Sequence, residues 1–136
     1  MKKFDNDFNE ISKADIQRIE QLIGSKLPND YKNHMMNYNG GSVPLWENYY
    51  FEFQDDSIML GRFHTISNLE NYFNKRLNFL YPNLLSIGTV NGGSLAIGYQ
   101  NENFGNIYVY FSDEGPYKIA NSFTKFIESL VVESLE

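Results

Sequence analysis

Two histidines, one serine preceded by glycines and a few neighbouring carboxylates are the side chains of this chain that could carry chemistry. His34 and His64 stand far apart, no two histidines share a helical spacing, and there is no cysteine. Ligand sets for zinc and related metals need three or four such residues at short, defined spacings, so no metal is expected. Ser94 follows Asn91-Gly92-Gly93, but no glycine stands two positions after it, as a nucleophile elbow requires. It enters a strand, and a hairpin turn accounts for the glycines. None of the glycines leads into the Lys-Ser or Lys-Thr of a phosphate-binding loop. Asp55 and Asp56 are adjacent, and Glu47 and Glu52 are five apart, so on a regular strand each pair would face opposite ways. No constellation for nucleophilic, metal-assisted or general acid–base catalysis emerges. The expectation is a protein without enzymatic activity, cofactor or metal.

Charge is more informative than chemistry. The chain has 136 residues, 17 acidic against 11 basic side chains, and a net charge of −6. That surplus speaks against direct nucleic-acid binding, which needs a basic face to replace counterions. It is unevenly spread. Residues 1–45 hold six acids and six bases, whereas residues 46–66 hold four acids and one base, and residues 101–120 and 121–136 hold three acids and one base each. Negative charge therefore concentrates in the strand loops and the closing segment, which suits a surface for a basic protein partner. Trp46 and Tyr49 beside Glu47 resemble the aromatic anchors of an interface hot spot. The residues expected to bind the partner are Trp46, Glu47, Tyr49, Asp55, Asp56, Glu102, Asp113 and Glu114.

The elements that must position these residues can be read from periodicity and turn chemistry. A hydrophobic fraction of 42%, with 11 Phe and 10 Tyr, supplies one core, and the length fits one domain. Residues 1–10 read as a polar lead-in to a core of about 11–131. Met1-Lys2-Lys3 is followed by acids and not by an apolar stretch, so a secretory signal is not expected, nor is a membrane partner, and the expected location is the cytoplasm. Ser12 with Asp15 opens a helix carrying Ile16, Ile19, Leu22 and Ile23, closed by Gly24. Pro28 is expected as the first residue of a second helix, stopped by Asn39-Gly40-Gly41. Leu45–Phe53 and Ile58–Phe63 read as extended. Ser67 or Asn68 would cap a third helix carrying Leu69, Tyr72, Phe73, Arg76, Leu77 and Leu80 and ending before Pro82. Leu84–Val90, Ser94–Gln100 and Ile107–Ser112 read as strands, with Tyr117–Ile119 as an edge piece. Asn121 or Ser122 then caps a last helix whose apolar face runs Phe123, Phe126, Ile127, Leu130, Val131. Helices at the N-terminus, middle and C-terminus around a mostly antiparallel sheet make an α+β fold in a single domain spanning 1–136.

The order of these signals resembles a known family. Ile16, Ile19 and Glu20, then Gly24, Leu27-Pro28-Asn29-Asp30-Tyr31 and Asn39-Gly40-Gly41, are similar to the N-terminal signature of the SUKH superfamily, which includes a yeast cell-wall assembly regulator. Leu85-Ser86-Ile87-Gly88, Gly105-Asn106-Ile107-Tyr108 and Ile119-Ala120-Asn121-Ser122-Phe123 continue the match. The resemblance implies an α+β domain and, for most bacterial members, an immunity protein that binds and neutralises a cognate toxin, frequently a nuclease. Many relatives carry an acid after the second glycine turn, where this chain has Ser94. The resemblance carries no catalytic residues with it. The alternative it leaves open is an interaction or scaffold module in cell-wall or signalling processes.

Overall fold

The fold is set by how a short glycine turn docks two helices and a sheet against each other. In the computed structural model, residues 2–6, 9–73 and 82–135 are described. Helix α1 (Lys13–Ile23) begins with the expected capping box: Ser12 accepts from the Asp15 backbone N–H while the Asp15 carboxylate accepts from the Ser12 N–H. It ends at Gly24 in the left-handed conformation. Helix α2 (Asn29–Tyr38) starts one residue later than expected, because Pro28 keeps an extended backbone and serves as the N-cap. The buried Glu20 ties the two helices, accepting from Leu27 N–H at 2.8 Å and from the Lys32 ammonium at 3.1 Å. Burial opposes its charge, but these two donors outweigh it and hold the carboxyl below its usual range.

Strands β1 (Glu47–Phe53) and β2 (Asp56–Phe63) form a hairpin. Helix α3 (Ile66–Phe73) follows; Thr65, and not Ser67 or Asn68, caps it by accepting from Asn68 N–H at 3.3 Å. The rest of the expected third helix, with Arg76, Leu77 and Leu80, lies outside the described residues. Strands β3 (Leu84–Val90), β4 (Gly93–Gly98), β5 (Ile107–Phe111) and β6 (Glu114–Ala120) run consecutively, and helix α4 (Phe123–Ser129) leads to β7 (Val131–Ser134). All neighbours pair antiparallel in the order β6-β5-β4-β3-β2-β1-β7. The fold is thus a single α+β domain, as expected. No helix among the described residues is long and apolar enough to cross a membrane.

Strand alternation decides which face takes the helices. Leu85 and Ile87 of β3, Leu95 and Ile97 of β4, and Ile107 and Val109 of β5 point to one side. There they pack with Ile16 and Ile19 of α1, Tyr31 and Met35 of α2, Leu69 of α3 and Phe126 of α4. Leu84, Ala96 and Tyr110 form a smaller cluster on the other side. The sheet curls around its helical face: Phe53 near one edge lies 5.9 Å, ring to ring, from Phe111 of β5 and 5.2 Å from Tyr117 of β6.

Two further expectations give way. The segment before Ile11 is no mere lead-in: Phe4 is buried among His34, Tyr38, Tyr49 and Phe63, and Asp5 bridges to Ser42. One phenylalanine in a polar stretch has no periodicity to announce it. Val131 does not continue the last helix. The backbone turns extended at the buried Leu130, and the β-branched Val131 and Val132 pair with Tyr50 and Tyr49, satisfying backbone groups of β1 that would otherwise lie on an open edge.

Gly40 and Gly24 both hold positive φ, but only Gly40 is hemmed in. A Cβ there would sit 2.7 Å from the Phe63 carbonyl oxygen and 2.8 Å from His64 backbone atoms, whereas nothing lies within 4 Å of one at Gly24. Gly40→Ala should cost ~3 kcal/mol or more, through backbone strain plus displacement of β2 from the turn. Gly24→Ala should cost only the left-handed penalty, roughly 1–2 kcal/mol. Urea unfolding of both variants measures the difference, and equal midpoints would contradict it.

Candidate functional site

The direction of each strand determines where the expected binding residues lie. In an antiparallel meander, alternate hairpins open at the same end. The β1–β2, β3–β4 and β5–β6 turns therefore share one end of the sheet, and the β4–β5 connection lies at the other. Asp55 occupies the β1–β2 turn, where Gln54 and Asp55 both take positive φ, as a two-residue type I′ turn demands. Asp56 begins β2 opposite Phe53. Asp113 occupies the β5–β6 turn, and Glu114 begins β6 opposite Phe111, with its carboxylate accepting from the Tyr117 hydroxyl at 3.0 Å. The Phe53–Phe111 and Phe53–Tyr117 contacts draw these two turns toward each other beneath the acids. All four acids are exposed.

The other four expected residues do not join them. Glu102 is exposed in the β4–β5 connection, at the opposite end. Glu47 begins β1, also at that end, and pairs with Ser134. Trp46 is 58% exposed with a positive φ, its carbonyl accepting from Leu135 N–H at 2.7 Å. Tyr49 is not a surface anchor. Only 2% exposed, its ring packs on Phe4 and its hydroxyl donates to the Lys3 carbonyl at 2.7 Å. Burial first, and then the charge of Glu47, raise its pKa. Alternation explains the position: Tyr49 and Phe51 face the core while Tyr50 and Glu52 face outward.

The histidines are structural. His34 is buried against Phe4, Phe63 and Phe123, and its Nε2 lies 2.7 Å from the Gly40 carbonyl, an acceptor that requires the proton on that nitrogen. His64 is buried and stacks on Tyr72 at 4.5 Å. Among the described residues, no three His, Cys, Asp or Glu side chains are placed to hold a metal ion. Ser94 lies within β4, paired with Thr89 and Tyr110, while the His34 ring is engaged with the Gly40 carbonyl and the His64 ring with Tyr72. An open groove of about 500 Å³ beside the end of α1 includes Glu20, but that carboxylate is already bound to Leu27 and Lys32.

Sequence reasoning missed the carboxylates that hold the scaffold. Asp30 accepts from the N–H and hydroxyl of Thr124 at 2.9 and 2.8 Å, joining the start of α2 to the start of α4. It also missed the exposed apolar ladder of β7, whose signal was the Val131-Val132 pair just after a serine-terminated helix.

With this architecture in view, comparison with known proteins is decisive for the family. A match to the SMI1 / KNR4 family (SUKH-1) spans residues 10–129. The chain belongs to that family. Among its relatives is the SPbeta prophage-derived uncharacterized protein YokK of Bacillus subtilis (strain 168), 26% identical over 144 aligned positions that cover 89% of this chain and 75% of the relative.

The buried imidazoles of this SUKH-1 domain make stability pH-dependent. Burial lowers the pKa of both His34 and His64 from 6.5 to about 4, opposed at His34 by the Gly40 carbonyl and aided at His64 by the charge of Arg62. Between those values the unfolded chain binds protons that the folded chain does not, so stability is full above pH 6.5 and falls as pH drops toward 4. Urea midpoints across this range should show the decline, and His64→Phe should make it shallower. A flat profile would contradict neutral burial.

Proposed function

We propose that this SUKH-1 protein binds and neutralises a basic protein partner, a cognate bacterial toxin, by occupying its surface without turnover. The observation that carries the reading is the convergence of Asp55, Asp56, Asp113 and Glu114 at one end of the curled sheet. Four carboxylates on two tight turns project charge from a rigid base, the arrangement that steers a positively charged partner and rejects acidic ones. A nuclease toxin fits best, because its substrate groove must be basic to hold phosphates, and an acidic protein surface can fill that groove. The immunity role implied by the family resemblance agrees with this, as does the prophage origin of one relative.

The test has a cellular and a kinetic arm. Growth of cells poisoned by a cognate toxin, sought first in the neighbouring open reading frame, should be restored by co-expression of this protein, and the two proteins should form an isolable complex. Absence of a complex would overturn the reading in favour of a scaffold module. Reversing Asp55, Asp56 and Asp113 to Lys should slow association by about tenfold or more at low salt and flatten its salt dependence. Association rates of the parent that stay constant between about 50 and 500 mM salt would remove the electrostatic component.

A further inference from the structure

The two edges of the sheet are built differently. β6, at one edge, carries the devices that discourage pairing: Pro116, Lys118, and two register irregularities against β5. α4 also packs against it. β7, at the other edge, has no proline, no lysine and no register irregularity against β1. What protects it is its length of four residues and the charge of Glu133.

The hydrogen-bond parity of β7 follows from one contact. Leu135 N–H donates to the Trp46 carbonyl, so Leu135, Glu133 and Val131 direct their backbone groups to β1. Val132, between them, directs its N–H and C=O away from the sheet. The side chains around this edge are apolar and open: Leu45, Trp46, Val131, Val132 and Leu135 are each between 43 and 75% exposed. The charge beside them is of one sign. β1 and β7 contain Glu47, Glu52 and Glu133 and no Lys or Arg. Glu133 is fixed in place, its carboxylate accepting from the Tyr50 hydroxyl at 3.3 Å and from Asn48 Nδ2 at 3.4 Å. Lys2 of the N-terminal segment donates to the Glu128 carbonyl, before β7 begins.

We infer that β7 is a docking edge for an extended segment of another protein, in which apolar residues alternate with Lys or Arg. Such a segment adds an eighth strand, taking its backbone bonds from Val132 and laying its apolar side chains on the face where Val132 stands exposed, opposite the face that carries Val131, Glu133 and Leu135. Its cations meet Glu133 and Glu52. A second copy of this chain is the poorer occupant, since its β7 edge brings Glu133 and Glu47 and no cation to meet these carboxylates. The inference rests on the proposed function only for naming the toxin as the protein that carries the segment. The edge itself stands on its own geometry.

The single tryptophan reports on this site directly. The full chain is titrated with a synthetic peptide of about ten residues alternating Val and Lys, and Trp46 emission is followed. Emission should shift to shorter wavelength, and the same peptide with Glu in place of Lys should bind at least about tenfold more weakly. Val132→Pro removes an N–H that makes no bond to β1, so it should leave thermal unfolding nearly unchanged while weakening the peptide by about tenfold or more. Val132→Lys keeps the backbone intact and should do the same through charge. No emission change up to about 1 mM peptide, equal binding of the Glu peptide, or binding untouched by both variants would overturn the inference. So would self-association of the parent in sedimentation that either variant abolishes, because a second copy would then hold the edge. Growth rescue separates the two readings. A parent that fails to protect cells defeats the immunity function while leaving the peptide result standing; a Val132→Pro variant that protects as well as the parent removes the toxin from this edge.

Discussion

The turn Asn39-Gly40-Gly41 is the joint on which the rest of the structure depends. Asn39 ends α2 in the left-handed conformation, and its buried side chain accepts from Ile66 N–H at 2.9 Å and donates to the Asn9 carbonyl at 2.9 Å. One amide thereby satisfies the start of α3 and anchors the N-terminal segment, groups that burial would otherwise leave costly. Gly40 offers its carbonyl to His34 and lies against the backbone of Phe63 and His64, and Gly41 accepts from Phe63 N–H at 2.9 Å. Three segments distant in sequence meet through backbone contacts that admit no side chain. The neutral histidine is part of this joint: a charged imidazole would have to give up water within a cage of Phe4, Phe63 and Phe123.

A joint of this kind lets the sheet curl over its helices while its loops remain free of structural duty. Three acids on the first two helices are committed to the scaffold. Asp15 caps α1 and pairs with Arg18, Glu20 closes the α1–α2 turn, and Asp30 clamps α4. The acids at Asp55, Asp56 and Asp113 lie exposed on turns whose geometry is supplied by backbone conformation and by the aromatic contacts beneath them. Negative charges brought close together without a folding role cost some self-repulsion, which is offset only when a positive partner arrives.

Most of the fold was legible because its signals are local. Ser12 with Asp15, Gly24, and the glycine turns at Asn39 and Asn91 each express a conformational preference within four residues, and the structure follows them. What was not legible depends on partners distant in sequence. Phe4 finds its place only once α2 and β1 stand beside it, and Val131 turns to strand because β1 needs a neighbour. The site divides the same way. The clustering of Asp55 and Asp56 with Asp113 and Glu114 needs the strand order, which five antiparallel pairings supply and composition does not. Tyr49 went astray because an aromatic beside a glutamate looks alike whether it anchors a partner or fills a core. Only its parity along β1, facing the same way as Phe51, separates the two.

The strand that hid Tyr49 also links the two surfaces that a partner would meet. β1 runs from Glu47 to Phe53, with β7 covering it only as far as Tyr50. Beyond that residue its own edge continues through Phe51 and Glu52 to the Asp55–Asp56 turn. A chain laid along β7 would therefore be directed toward the acidic end, and its cations would pass Glu133 and Glu52 on the way. Backbone pairing is indifferent to sequence, whereas the spacing of carboxylates along the edge is not. In such an arrangement the edge would supply affinity common to any extended segment, and the carboxylates would select among them. Exchanging charges on two turns and one strand would then change the partner without disturbing the packing around Asn39-Gly40-Gly41 that holds the fold.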